Sequence, residues 1–304
     1  MHDPDPSFCP VVGVAELLSD GLRRIVAPNP SAMTFRGTNT YLLGHTDLAV
    51  IDPGPDSAPH MHAILAAVQP GQRITHILVT HAHLDHSPLA RALSQVTKAP
   101  VLAFGDAQSG RSAVMQHLAQ GGMLGGGEGI DTAFCPDHSL ADGDVISGPD
   151  WQITALHTPG HMGNHLCFAW GDILFCGDLV MGWASSLVSP PDGDLTDFLA
   201  SCRRMRARPW RIAHPGHGAP LFDPAARLDW LIAHRLQREA AILEALTQGP
   251  ATAAALARAI YTQTPRALLP AAERNVLAHL VDLYGHSRVT AEGALHASAQ
   301  FSRK

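Results

Sequence analysis

The stretch THAHLDHS, residues 80–87, carries more chemical information than any other part of this sequence. Within six positions it holds four side chains of metal-binding type, namely His81, His83, Asp85 and His86. Imidazole nitrogen and carboxylate oxygen are ligands that zinc, iron and manganese accept. The preceding run ITHILVT (74–80) is apolar and β-branched, which predicts a buried strand. We therefore expect these side chains where a strand ends and a loop begins, a common place for catalytic groups.

The spacing within this stretch suggests two neighbouring metal positions. Alternate residues of an extended segment point the same way, so His81 and His83 can share one metal. Asp85 and His86 fall in the turn that follows and can face a second metal. The alternative for this stretch alone is a chance cluster of polar residues without any metal, since the chain has 19 histidines.

Three later segments also place a metal-binding side chain just after a strand pattern. They are HTPGHMGNH with His161, DILFCGDLVMG with Asp178, and RIAHPGHG with His217. Each candidate lies beside glycine or proline, and glycine lets the backbone approach a metal centre closely. A site with two metals accounts for all of these segments together.

Two further histidines compete for roles near these segments. His214 lies in the same segment as His217, and the glycines on both sides favour His217 as the ligand. His165 follows His161 by four residues. It is predicted either to orient the substrate or a ligand, or to be a hydrogen-bonded structural histidine.

In this order the motifs resemble those of the metallo-β-lactamase-like hydrolase superfamily. The matching strings are HAHLDH (81–86), TPGH (158–161), GD (177–178) and PGHG (215–218). APNPSAMTFRGTNTYLLG (27–44) and IDPG (51–54) resemble best the branch with a small winged-helix domain after the catalytic domain. The resemblance covers essentially the whole chain. That branch includes hydrolases of unassigned substrate, acyl-thioester hydrolases and a mitochondrial endoribonuclease.

The resemblance implies a fold and a set of ligands. The fold is α/β, a four-layer αββα sandwich over residues 1–222 followed by a small helical, winged-helix-like domain over 223–304. The order of strand and helix patterns along the chain supports these layers independently. By resemblance one metal is held by His81, His83 and His161, the other by Asp85, His86 and His217, and Asp178 bridges the two.

The same resemblance implies a mechanism. Two divalent ions, zinc being expected and iron or manganese the alternatives, share a hydroxide that attacks the substrate. Asp85 and Asp178 are then the catalytic carboxylates, and His165 is a candidate third catalytic residue. Four residues near the motifs are expected to line the substrate pocket: Met33, Phe35, Met181 and Trp183.

Two classes of substrate stay open. The net charge of −6 gives no general attraction for nucleic acid, which favours a small carbonyl substrate such as a thioester, ester or lactone. The alternative is cleavage of single-stranded RNA, suggested by five arginines within SCRRMRARPWR (201–211).

A β-lactamase is less favoured, because class B1 and B2 lactamases carry a cysteine ligand where Asp178 stands. Less favoured too is a persulfide dioxygenase with a single iron, because that class lacks the helical tail. A different kind of function, as a metal-binding or interaction protein without catalysis, is also less favoured, because the sequence offers a complete set of seven metal-binding side chains.

Composition suggests where the protein works. The five cysteines are scattered and form no CxxC pair, which is typical of reduced thiols in the cytoplasm. We find neither a signal peptide nor an apolar run long enough for a membrane span, so the expected location is cytoplasmic. The glycine-rich segment 121–129 is predicted to be a flexible loop and a candidate flap over the site. The C-terminal segment is predicted to serve packing or formation of a homodimer.

Overall fold

The computed structural model describes residues 5–126 and 129–304, and its N-terminal half is built on a mixed sheet. The seven strands lie in chain order across it: β1 (Glu16–Ser19), β2 (Leu22–Val26), β3 (Asn39–Leu43), β4 (Asp47–Ile51), β5 (Arg73–Leu78), β6 (Val101–Ala103) and β7 (His138–Ser139). Neighbouring strands are antiparallel from β1 to β4 and parallel from β4 to β7. Parallel neighbours need crossover connections. These connections contain helices α1 (Ala58–Ala66), α2 (Leu89–Thr97) and α3 (Ala113–Gln120).

A second sheet of five strands packs against the first. Its strands are β8 (Val145–Ser147), β9 (Gln152–His157), β10 (Leu166–Trp170), β11 (Ile173–Gly177) and β12 (Ile212–Pro215), in the order β12-β11-β10-β9-β8. The pairs are antiparallel except β11 with β12, which are parallel and are connected through helix α4 (Leu195–Arg206).

Three apolar cores show how the layers stack. Tyr41 and Phe168 belong to the core between the two sheets. Ile64 of α1 packs in the core on the outer side of the first sheet. Phe198 of α4 packs in the core on the outer side of the second sheet. The predicted four-layer αββα sandwich is therefore confirmed.

The C-terminal segment forms three helices and a small sheet, which agrees with the predicted helical, winged-helix-like fold. The helices are α5 (Pro224–Ala245), α6 (Ala253–Ile260) and α7 (Leu269–Gly285). The strands are β13 (Ala251–Thr252), β14 (Val289–Ala291) and β15 (Gln300–Arg303), in the order β13-β15-β14. Helix α5 is shared by two cores, because Leu228 packs against the second sheet whereas Ile242 packs among α6 and α7. The C-terminal helices and strands are thus attached to the sandwich by one continuous helix, α5.

The glycine-rich segment 121–129 is tied down at both of its described ends. Residues 127 and 128 lie outside the described residues. On one side Arg274 of α7 donates a hydrogen bond to the Leu124 carbonyl. On the other side the Leu84 amide donates to the Gly129 carbonyl at 3.0 Å. These contacts connect the segment to the C-terminal unit and to the HAHLDH loop.

All five cysteines are free, and three of them are buried in the core under the second sheet: Cys167, Cys176 and Cys202. Burial raises the pKa of the Cys167 and Cys202 thiols to about 12, so both are inert. Among the described residues, no helix has the length and apolar character that a membrane crossing demands.

Candidate metal centre

Four strand ends bring the seven predicted ligands together at one edge of the sandwich. The HAHLDH loop follows β5, His161 follows β9, Asp178 follows β11 directly, and His217 follows β12. Their donor atoms form three groups in which all atoms lie within 4.8 Å of one another: His81, His83 and His161; His81, His86 and Asp178; and Asp85, His86 and His217. Side chains as much as 136 positions apart in sequence thus face one small volume.

Two of these groups have the composition of separate metal positions. In the first, His83 Nδ1 lies 2.9 Å from His81 Nε2 and 3.0 Å from His161 Nε2. In the second, His217 Nε2 lies 3.2 Å from His86 Nε2 and 3.1 Å from Asp85 Oδ2. Three nitrogens in one group, and two nitrogens with a carboxylate oxygen in the other, suit divalent transition metals.

Asp178 lies between the two groups. One carboxylate oxygen is 3.6 Å from His86 Nε2 of the second group. The other is 3.6 Å from His161 Nε2 of the first group and 3.5 Å from His217 Nε2. A carboxylate whose oxygens lie near donor atoms of both groups can bridge two cations.

Hydrogen bonds behind the rings fix which nitrogen is free to bind a metal. His161 Nδ1 lies 2.7 Å from the Leu187 carbonyl oxygen, and His217 Nδ1 lies 3.3 Å from the Gly37 carbonyl oxygen. A carbonyl only accepts, so each Nδ1 must carry the hydrogen. In the neutral ring Nε2 then keeps its lone pair, and in both residues Nε2 faces the centre.

The electrostatics of the centre also fit cations. Burial lowers the pKa of His83 to about 3, which keeps that ring neutral and able to coordinate. Burial acts the same way on His86, but the carboxylates of Asp85 and Asp52 outweigh it and raise the pKa of His86 to about 9. Asp85 Oδ1 and Asp178 Oδ1 are buried without a hydrogen-bond partner. Buried carboxylate oxygens need a compensating partner, and a divalent cation between them would be one.

Asp52 contacts His86 of the second group on the side of the ring that faces away from the centre. Its carboxylate accepts hydrogen bonds from the Thr80 amide at 2.7 Å and the Thr80 hydroxyl at 2.8 Å, and lies 2.9 Å from His86 Nδ1. Asp52 has φ of 50°, a left-handed conformation that aspartate and asparagine tolerate better than most residues. Sequence reasoning noted only the surrounding IDPG string and missed this role, although an acidic residue directly after a strand was the available signal.

We expect Asp52→Asn to weaken metal binding at the group of Asp85, His86 and His217 by about 10–100-fold. An asparagine amide would donate to His86 Nδ1, which moves the ring hydrogen to the nitrogen that faces the metal. Chelator competition measured by titration checks this, with Asp56→Asn at an exposed neighbouring position as the control. Unchanged affinity for both ions would contradict the assignment of Asp52.

The centre opens into a cavity of about 210 Å³. Four of the predicted ligands line it, namely His83, Asp85, His161 and Asp178. The walls are mainly apolar and include no lysine or arginine among the described lining residues. Tyr261 and Asn275 of the C-terminal unit complete one wall, a contribution that no sequence pattern indicated.

The cavity contains three of the four residues expected in the substrate pocket. Met33, Met181 and Trp183 line it. The fourth, Phe35, does not line this cavity. Its ring instead stacks on Trp183, with centroids 5.0 Å apart and planes 14° apart.

His165 and His214 lie behind the centre. His165 Nδ1 is 2.9 Å from the Thr158 hydroxyl, and its Nε2 accepts from the Asp178 amide at 3.2 Å. Both ring nitrogens of the buried His165 are thus occupied by protein, which favours a positioning role over contact with substrate. His214 is buried against the Tyr41 and Phe175 rings, away from the donor groups that include His217.

The C-terminal unit also holds the loop that positions His161. Arg235 of α5 is fully buried and donates to the carbonyl oxygens of Ser185 and Ser186, both at 2.8 Å. Asn275 of α7 accepts from Arg235 at 2.7 Å and from the Val188 amide at 3.1 Å. The residue enclosed by these bonds is Leu187, whose carbonyl fixes His161. A buried arginine in a long amphipathic helix gives no such signal in sequence.

Comparison with known proteins identifies families that match both the sandwich and the C-terminal segment. The family model described as metallo-beta-lactamase superfamily matches residues 33–217, and the model of the beta-lactamase associated winged helix domain matches residues 252–297. The first of these matches includes all seven residues of the centre.

Full-length relatives and a solved structure extend these matches. The chain is 31% identical to the Beta-lactamase-like protein 2 homolog of Drosophila melanogaster, over 92% of this chain and 91% of that protein. It is 29% identical to the atrochrysone carboxyl ACP thioesterase of Aspergillus fumigatus, over 82% and 76% of the two chains. The crystal structure of a metallo-beta-lactamase family protein from Thermus thermophilus superposes with a TM-score of 0.75. It is 25% identical and covers 95% of this chain and 100% of that one.

Proposed function

The chain belongs to the metallo-beta-lactamase superfamily, and we propose that it is a hydrolase that uses two divalent metals to cleave a small, uncharged thioester. Esters and lactones are the related substrates of the same carbonyl chemistry. We propose His81, His83 and His161 as ligands of one ion, Asp85, His86 and His217 as ligands of the other, and Asp178 as the bridge. The three groups of close donor atoms support this assignment.

The observation that carries the proposal is the cavity above these residues. Its walls, among the described residues, offer methionine, tryptophan, leucine and alanine side chains but no lysine or arginine. An apolar acyl group gains free energy by entering such a cavity, whereas a phosphodiester would lose its hydration without a compensating cation from the walls. The thioesterase activity in the name of the Aspergillus fumigatus relative favours a thioester among the carbonyl substrates.

The chemistry follows from the donor set. Two divalent ions, when bound, lower the pKa of water toward neutrality and polarise a carbonyl oxygen. Asp178 would fix the separation of the two metal positions. Asp85 would bind the metal of the second group through one oxygen, and its other oxygen would orient the proton of the attacking water. The buried imidazoles keep this geometry rigid. A thiolate leaves with little help from an acid, which suits a cavity with few titratable groups on its walls. Zinc is our proposed metal, and iron and manganese accept the same ligands.

Three of the five arginines in the cluster that suggested RNA cleavage pair with carboxylates. Arg204 pairs with Asp142 at 2.8 Å, and Arg206 pairs with Asp229 at 2.8 Å. Arg211 pairs with Asp172 at 2.9 Å. Arginines with carboxylate partners attract phosphates weakly, and none of the cluster lines the cavity. RNA cleavage therefore has no observation in its favour beyond the sequence pattern.

A substrate panel tests the proposal. We expect metal-loaded protein, with about two ions per chain by elemental analysis, to hydrolyse acyl thioesters with kcat/KM of about 10⁴ M⁻¹ s⁻¹ or more. Aryl esters and lactones should follow, and single-stranded RNA, a cephalosporin and glutathione persulfide should be at background. His83→Ala is the control, since it removes one ligand. Turnover of RNA or persulfide above that of every thioester would overturn the proposal.

A further inference from the structure

Trp183 separates the metal cavity from a second cavity. Among the described lining residues, Trp183 is the one shared by the cavity of about 210 Å³ above the proposed ligands and a neighbouring cavity of about 330 Å³. The second cavity is lined chiefly by apolar groups, among them Phe8, Phe35, Leu221 and Phe222. Ligand sites commonly measure about 300–1,000 Å³, so the first cavity alone is small and the two together fall within that range.

The Trp183 ring is fixed in this dividing position by three neighbours. Its Nε1 donates to the His217 carbonyl oxygen at 3.2 Å. One face stacks on Phe35. Gly218 makes room for the indole, because a Cβ at that residue would lie 2.7 Å from Trp183 Cδ1. The ring is therefore a wall attached to the loop of a metal-ligand candidate.

We propose that Trp183 sets the upper length of the acyl chain, and that the second cavity is a distal subsite for straight-chain apolar groups that the indole closes off. This inference rests on the proposed function. The carbonyl would lie over His83 and Asp178, and the chain would extend toward Trp183. The lining gives the subsite its chemistry. Two carboxylates, Asp5 and Asp223, are among its lining residues, and the Asp223 side chain caps α5. Both would repel a carboxylate at the end of the chain, which favours an uncharged tail.

The test compares wild type with Trp183→Ala and Trp183→Phe on straight-chain acyl thioesters of two to twelve carbons. For wild type we expect kcat/KM to reach its maximum at a short chain and then fall. For Trp183→Ala the maximum should move to longer chains, with a gain of about fourfold for each additional buried methylene. Trp183→Phe loses the hydrogen bond to His217 but keeps an aromatic wall, so its maximum should stay at the wild-type length.

A binding measurement keeps this inference separate from the proposed function. Titration calorimetry with hexanoate and dodecanoate should give tighter binding of dodecanoate to Trp183→Ala than to wild type, whether or not thioesters are turned over. No thioester hydrolysis by wild type would refute the proposed function. The same chain-length maximum and the same dodecanoate affinity in wild type and Trp183→Ala would refute the role of Trp183. A melting curve for each variant identifies loss of fold.

Discussion

Asp178→Asn is expected to reduce kcat/KM by about a thousandfold or more and to leave the fold intact. Asparagine has the shape of aspartate, but it offers one neutral oxygen and an amide donor where the carboxylate faces both donor groups. The amide would point its hydrogens at imidazole nitrogens that lie 3.5–3.6 Å away. Loss of metal polarisation is worth several kcal/mol in the transition state, and about 4 kcal/mol corresponds to a thousandfold in rate.

Two measurements check this expectation. Elemental analysis should show fewer than two ions per chain, and thioester kinetics should show the loss in kcat/KM. Asp172→Asn is the matched control, because Asp172 directly precedes the strand that Asp178 follows and forms an exposed pair with Arg211. Exposed ion pairs contribute about 0–1 kcal/mol, so this control should behave as wild type. An Asp178→Asn protein with two ions and activity within tenfold of wild type would contradict the bridging role.

The predictable part of the site is the part that follows strand ends. Asp178 comes directly after β11, and His217 comes two residues after β12. A strand delivers such residues to the sheet edge whatever the rest of the chain does, so local patterns identified them. The choice between His214 and His217 also follows local rules. His214 lies inside the strand and packs on Phe175 in the core between the sheets.

Local sequence patterns did not predict the structure correctly where tertiary hydrogen bonds compete with local ones, as at the start of helix α2. A serine directly before a proline, as at Ser87 and Pro88, is the pattern typical of a helix N-cap, but helix α2 begins after Pro88 and no side chain caps it. The Ser87 hydroxyl donates instead to Asp131 at 2.9 Å, and its oxygen also lies 3.2 Å from the His83 carbonyl oxygen. The hydroxyl that the helix end would have used thus goes to the half-buried Asp131 carboxylate, which needs a donor more than a helix end does.

The residues that the C-terminal segment contributes to the cavity wall could not be predicted from the sequence, for a different reason. Tyr261 and Asn275 lie more than 40 positions after His217 and belong to the C-terminal unit. Neither is part of a motif with a chemical meaning. Their place over the centre depends on how α7 packs against α4 and α5, which is a property of the folded cores. The winged-helix-like unit therefore shapes the site as well as attaching to the sandwich.

Gly216→Ala, which adds a single methyl group, is expected to reduce kcat/KM by about a hundredfold or more. The alanine Cβ would lie 2.6 Å from Asp178 Oδ1 and 2.7 Å from His86 Cε1. Both distances are well below ordinary van der Waals contact, so the carboxylate or the ring must move. Misplacement of a catalytic group by about 1 Å can cost about a hundredfold in rate, and two metals share ligands only within a narrow range of separations.

The comparison with Gly285→Ala isolates this steric effect. Neither Gly216 nor Gly285 has a left-handed φ, so alanine suits the backbone at both positions. A Cβ at Gly285 meets nothing within 4 Å, and the residue ends helix α7. Gly285→Ala should therefore bind two ions and keep its rate. Gly216→Ala should lose metal affinity and rate although all seven proposed ligands are present. Full metal content with wild-type kinetics in Gly216→Ala would mean that Asp178 and His86 can separate freely, and a rigid bridge between two metals would then be wrong.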